Sequence, residues 1–199
     1  FHSTPINNME TGENDQDPLF DPDLLDSAIG PRCGVPDRFV LRPLWRGDHD
    51  RGHTAVLATL SPCALTRAEH RARFAALQRC NAAAPAPGLC LVVVAAARSS
   101  GRVVASATAL LEPKFTHGAG RVAHIEDVAV HPDARGQHLA TALVTQLVAL
   151  ARHAHCHKAV LACAPPRRTL YARCGFVPHE IEMVLPLTDG SDGRDFKQQ

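Results

Sequence analysis

The chain has 199 residues, 45% of them hydrophobic, and its 21 Lys+Arg nearly cancel 20 Asp+Glu, leaving a formal net charge of +1. That balance, without any basic block, gives no electrostatic reason to expect nucleic acid as a partner. No apolar run reaches the roughly 18 residues that a membrane-spanning helix needs, and the opening residues lack signal-peptide character, so no membrane partner is expected.

Residues 1–37 carry Asp, Asn, Pro and Gly with few large apolar groups, and read as a tail or a loosely docked arm. One domain of roughly 150 residues remains, enough for a core without disulfides. The seven cysteines are odd in number, irregularly spaced and without a CxxC pair. They read as reduced thiols of a cytoplasmic protein.

Phe39–Leu44 reads as a first strand, with Pro43 marking an edge or an end. A helix is expected near residues 48–60, broken at Ser61-Pro62-Cys63. Thr66 followed by Glu69 is a capping box for a helix to about Cys80 that buries Phe74 and Leu77. Residues 89–96 and 102–111 flank Ser99-Ser100-Gly101 and predict a hairpin. Residues 112–120 form a loop or a distorted strand end. A strand over 123–130, a helix over about 137–152 and a strand over 158–164 suggest a right-handed parallel crossover. Pro165-Pro166 ends that strand, and Arg168–Cys174 suits one or two helical turns stopped by Gly175. Residues 180–187 alternate Ile181, Met183, Leu185 and Leu187 with other side chains, a strand pattern, and 188–199 form a polar tail. The fold class is α/β, with antiparallel strands first and a parallel element late.

The chain is organised around residues 124–141. Val128, Ala129 and Val130 suit a strand covered on both faces, which His131-Pro132-Asp133 ends. Leu139, Leu143, Leu147 and Leu150 then recur at helical spacing. Between them, Arg135-Gly136-Gln137-His138-Leu139-Ala140 places a basic side chain, a glycine and a small residue where free helix amides point, a geometry that holds a phosphate or pyrophosphate. It lacks the glycine spacing of a dinucleotide fingerprint and the Lys-Ser/Thr of a P-loop. An ordinary strand-to-helix turn with an exposed arginine would read the same way.

Glu126 and Asp127 are neighbouring acids in an apolar strand, so they are expected on opposite faces rather than as a carboxylate pair. At least one should face a polar pocket, or else serve as a salt-bridged structural acid. His117 and His124, with Glu112, match no zinc spacing, and no metal is expected. Cys156, Cys163 and Cys174 lack the setting of an activated thiol. Lys114 is the best cation to meet an anionic substrate, its alternative being an exposed loop lysine. Tyr171, the one tyrosine, could protonate or hydrogen-bond a leaving thiolate, or be a half-buried core aromatic.

Several stretches together resemble the GCN5-related N-acetyltransferases (the GNAT superfamily) and, within them, the eukaryotic glucosamine-6-phosphate N-acetyltransferases. They are Val40–Leu44, Glu112–His117, His124–Val130, Arg135–Ala140, Cys156–Lys158 and Leu170–Phe176, in the family's order. The resemblance spans about residues 39–187 and delimits the domain as 38–187. It implies a mixed sheet splayed beside the central strand, with helices on its flanks. Acetyl-CoA is the implied co-substrate, lying along Val128, Ala129 and Val130. Its pyrophosphate would sit on Arg135, Gly136, Gln137, His138, Leu139 and Ala140, with Arg167, Tyr171 and Arg173 nearby. The implied acceptor is an amino-sugar phosphate near Ser61, Glu112, Lys114, His117, Glu126 and Asp127. Its amine would attack the thioester directly, a backbone amide near Val128 would polarise the carbonyl, and Tyr171 would stand near the sulfur. The resemblance also implies a homodimer through the C-terminal strands, with Glu180–Leu187 as the interface.

Two positions depart from the pattern. Ala162 stands where the family has an acid that reaches the sugar across the dimer, and Arg167 stands where it usually has asparagine. Arg167 is the candidate to take over part of the acceptor contact. Besides glucosamine-6-phosphate acetylation, two alternatives stay open: acetylation of another amine (a peptide N-terminus, lysine or polyamine), and a non-catalytic acyl-CoA-binding protein.

Overall fold

The computed structural model describes residues 14–185 and residue 187. Its centre is one five-stranded sheet in the order β1 (Phe39–Pro43), β2 (Cys90–Ala97), β3 (Val103–Pro113), β4 (Arg121–Val130), β5 (Cys156–Val160). The first three pairings are antiparallel and β4–β5 is parallel. Among the described residues six α-helical segments accompany it: α1 (Ile29–Arg32), α2 (His53–Leu57), α3 (Arg67–Ala82), the turn α4 (Thr116–Ala119), α5 (Leu139–His153) and α6 (Arg168–Arg173).

Every residue of β2 from Cys90 to Ala96 is buried, which requires cover on both faces. Helix α5 lies against β2 to β5, while α2 and α3 pack on β2 to β4. Leu139, Leu143, Leu147 and Leu150 are all buried, so the helical period read from the sequence is the face that meets the sheet. The α3 capping box is formed: Thr66 Oγ accepts from Glu69 N–H (3.3 Å), and Glu69 Oε2 accepts from Thr66 N–H (2.8 Å).

The structure corrects several expectations. The described part of the N-terminal arm, residues 14–37, is firmly docked. Leu19, Phe20 and Ile29 enter the core, and Leu19 N–H donates to Leu44 O. Arg46 pairs with Asp17 at 2.9 Å, and the buried Gln146 amide on α5 meets both backbone groups of Asp26. A few well-placed apolar residues thus outweigh a polar average composition. Residues 1–13 of the arm and the 188–199 tail lie outside the described residues.

The helix expected over 48–60 shrinks to α2, because Gly52 takes a left-handed φ of 92° just before it. The preceding turn is held instead by a buried ion pair. Asp48, fully buried, accepts from Arg42 through both carboxylate oxygens (2.7 and 2.8 Å) and from Trp45 N–H (2.8 Å), while the Arg42 guanidinium stacks 3.7 Å over the Trp45 ring. Strand β5 starts two residues earlier than expected and ends at Val160, so Ala162 stands outside the ladder and exposed. Residues 180–185 and 187 form no strand, and Ile181, Met183 and Leu185 are almost wholly exposed. Alternation identifies a sequence able to pair, but a single chain offers it no partner strand.

Candidate active site

Strand β4 outlasts its parallel partner. Its pairing with β5 covers only Arg121 to His124, and the strand continues to Val130. The edge beyond His124 is therefore open on that side. Val128 and Val130 line a groove of about 410 Å³ there, with Arg135 to Ala140 from the following loop and Arg167, Tyr171 and Arg173 from the α6 region. Ala129 alternates away and is buried in the core.

The loop before α5 is shaped to receive an anion. Gly136 has φ +74° with open space where a Cβ would sit, and His138, the N-cap, is left-handed with no side-chain cap bond. Ala142 N–H donates to His138 O (3.0 Å), so the amides before it have no carbonyl further up the helix to meet. They face out of the positive end of a 15-residue helix, between Arg135, Arg167 and Arg173. A flexible thioester cofactor with a pyrophosphate fits this combination of open strand edge and anion cradle. Arg167 lines this groove, beside the residues expected to hold the coenzyme.

Tyr171 is 8% exposed and meets Phe176 edge to face. Burial pushes its phenol above the ordinary value, and the nearby Arg167 charge opposes this. It is a neutral donor at physiological pH.

On the other side of the same strand residues lies a second pocket, of about 430 Å³. Glu126 and Asp127 both line it, against the expected opposite faces. The cause is a bulge. Thr108 pairs with Glu126, the next registered pair is Ser106 with Ala129, and Asp127 between them takes φ +52°. That break in alternation brings the acids together. Burial and then the Asp127 carboxylate raise the Glu126 carboxyl, while His124 lowers it. Arg73, Thr108, His53 and His70 complete the polar lining, and Leu57, Leu65, Phe74 and Leu110 form part of the apolar wall.

The remaining predicted residues sit apart from both cavities. Glu112 bridges Lys114 Nζ (2.5 Å) and His124 Nε2 (2.8 Å) at the end of the β3–β4 hairpin. Lys114, then His124, hold the Glu112 carboxyl below its usual value. Through His124 this cluster runs along β4 toward Glu126, two residues on and on the same face. His117 lies on the α4 turn, exposed and stacked on His157 at 4.0 Å. Ser61 follows Thr59 and Leu60, which line the groove, and is half-buried. Among the described residues no cluster of three His, Cys, Asp or Glu could hold a metal.

These features define a class. The chain belongs to the acetyltransferase (GNAT) family, whose model matches residues 54–176, and it is an acetyl-CoA-dependent acetyltransferase. Among its relatives are two rice (Oryza sativa subsp. japonica) proteins, each 39% identical. "Probable glucosamine 6-phosphate N-acetyltransferase 2" is covered over 73% of this chain and 86% of its own length. For "Glucosamine 6-phosphate N-acetyltransferase 1" the shares are 76% and 89%. The crystal structure of glucosamine-6-phosphate N-acetyltransferase from Arabidopsis thaliana superposes with a TM-score of 0.69 at 26% identity, over 75% of this chain and 99% of that one. A Trypanosoma brucei acetyltransferase gives 0.67 at 31% identity, with the same coverage.

Proposed function

We propose that this enzyme transfers the acetyl group of acetyl-CoA to the amine of D-glucosamine 6-phosphate. The observation that carries the reading is the bulge in β4. Consecutive residues of one strand face two cavities, Glu126 and Asp127 the acceptor pocket and Val128 the coenzyme groove. An amine held by the acids thus lies one residue from the open strand edge. The similarity to the rice proteins supports the choice of sugar phosphate.

Acetyl-CoA supplies an activated thioester when bound. The backbone at Val128 polarises the acetyl carbonyl, as a fixed amide dipole does best in a site closed to water. Glu126, whose carboxylate is made a stronger base by burial and by the Asp127 charge, receives the proton the amine loses, directly or through water. Tyr171 donates its phenolic proton to the departing sulfur. The nitrogen–carbon bond forms as the carbon–sulfur bond breaks, without a covalent enzyme intermediate.

The function is proposed for a cytoplasmic homodimer. Ile181, Met183, Val184, Leu185 and Leu187, and Phe115, exposed on the loop that carries Lys114, are the surfaces a second copy would cover. The largely apolar wall around Glu126 supports one second reading, an acceptor amine with a more apolar body than a sugar.

Lys114 provides the test of the sugar-phosphate assignment. Its ammonium is held by Glu112 near the acceptor side of β4, ready to exchange a carboxylate for a phosphate. A charge-assisted hydrogen bond is worth about 1.5–3 kcal/mol. Lys114→Ala should therefore lower kcat/KM for glucosamine 6-phosphate about 10- to 150-fold more than for glucosamine. Equal losses for the two acceptors would assign Lys114 to the hairpin alone.

A further inference from the structure

Helix α3 presents one face to the acceptor pocket. His70, Arg73, Phe74 and Leu77 all line it, at the spacing of a single helical stripe. His70 and Phe74 are buried and Leu77 is half-buried. Arg73 alone of the four is exposed, and it stands where an apolar residue would complete the stripe. From that position its stem runs along the pocket wall and carries the guanidinium to the pocket mouth.

The guanidinium is uncommitted. Neighbouring arginines of the helix are taken, Arg67 by Asp50 and Arg71 by Asp15. Arg73 has no hydrogen bond or ion pair among the described residues. Its natural partner one turn back is Glu69. That carboxylate is held by Thr66, through the backbone amide (2.8 Å) and the hydroxyl (2.7 Å).

Charge in the pocket is laid out in two parts. Glu126 and Asp127 stand on the β4 bulge. Arg73 is the one cationic side chain among the described residues of the lining, because burial keeps His53 and His70 neutral at physiological pH. Acids at one place and an unpaired guanidinium at another complement an amine that carries an anionic group of its own. A polyamine would bring a second positive charge toward Arg73. A plain alkyl amine would leave the guanidinium unpaired as water is displaced.

We propose that the Arg73 guanidinium binds the phosphate of the bound acceptor, which makes Arg73 a specificity-determining residue of the reaction. This rests on the sugar-phosphate reading and on the acceptor lying in the Glu126 pocket. Lys114 is a separate cation, tied to Glu112 outside this lining. A phosphate monoester carries roughly two negative charges and three acceptor oxygens, enough for both. The planar fork of arginine matches it with two parallel bonds, whereas lysine meets it as a point charge.

The test compares glucosamine 6-phosphate with glucosamine as acceptors for the full chain. Wild type should prefer the phosphate ester. Arg73→Leu completes the apolar stripe, and Arg73→Gln keeps a polar head without charge. Both should retain the wild-type melting temperature and acetyl-CoA affinity. Each should lower kcat/KM for glucosamine 6-phosphate about tenfold or more, chiefly through KM, and leave glucosamine nearly unchanged. Arg73→Lys keeps the charge but loses the fork, and should recover part of the loss. A wild-type preference that survives intact in both neutral variants overturns the proposal and leaves the sugar-phosphate reading standing. The Arg73 stem would then only cover the apolar wall, with its head in water. Equal losses with the two acceptors overturn it as well, placing Arg73 in the packing of α3. A wild type without preference for the phosphate removes the sugar-phosphate reading, and this contact with it.

Discussion

Tyr171→Phe should lower kcat about 100- to 10,000-fold while leaving the fold and acetyl-CoA affinity intact. The substitution removes one oxygen. The ring stays buried, and its edge-to-face contact with Phe176, at a centroid distance of 6.4 Å, is retained. What is lost is the only phenol in the chain, standing in the groove that Val128 shares. A thiolate leaves more readily when a proton is delivered as the bond breaks. The pH profile carries the sign. Burial raises the Tyr171 pKa, so the phenol remains protonated beyond the pH of about 10 at which a free tyrosine ionises. Activity that needs the protonated form is then lost only as pH rises through the raised value. Wild-type kcat should lose activity there and Tyr171→Phe should not show that alkaline limb. A variant with near wild-type turnover would remove Tyr171 from proton transfer.

Asp48→Ala should cost about 3–5 kcal/mol of folding stability, a large part of the 5–15 kcal/mol available to a typical domain. The alanine strands the Arg42 guanidinium, 7% exposed, without its carboxylate and leaves Trp45 N–H without an acceptor. Desolvating an unpaired charge is the expensive step, so the pair is dear to break without being a large source of net stability. The double variant Arg42→Met with Asp48→Leu should accordingly recover most of the loss. Urea unfolding of wild type, single and double variants measures both effects. A single-variant loss below about 1 kcal/mol would show that the turn tolerates an unpaired arginine, contrary to this account. The turn leads directly into α2, which places His53 and Leu57 in the acceptor pocket, so damage there should also raise acceptor KM.

Which of these features the sequence disclosed follows from how local their causes are. The α5 face and the α3 cap depend on residues within a few positions of one another, and both were legible. That one groove gathers Val128, Val130 and Arg135–Ala140 follows from their being nearly contiguous, whereas Arg167, Tyr171 and Arg173 join it from a distant segment that only the family resemblance pointed to. The bulge at Asp127 was hidden, because it comes from a mismatch between two strands, and neighbouring acids read as alternating until the partner register is known. Hydrogen bonds linking Ser106 to His53 and His53 to His70 join residues 53 and 17 positions apart, and no spacing announces them. Arg42 and Asp48 are only six apart, yet nothing in that spacing pairs them until the turn between them folds. The arm misled through average composition, since four apolar side chains, Leu19, Phe20, Ile29 and Val35, are buried in the core.

The central claim is that Glu126 and Asp127 hold an amino-sugar phosphate beside the acetyl thioester. Its most direct measurement is the initial rate of thiol release from acetyl-CoA by the full chain, compared across glucosamine 6-phosphate, glucosamine, spermidine and a lysine peptide. The account predicts the highest kcat/KM with glucosamine 6-phosphate and a marked loss when the phosphate is absent. A higher kcat/KM for spermidine or the peptide, or coenzyme binding without turnover of any amine, would contradict it.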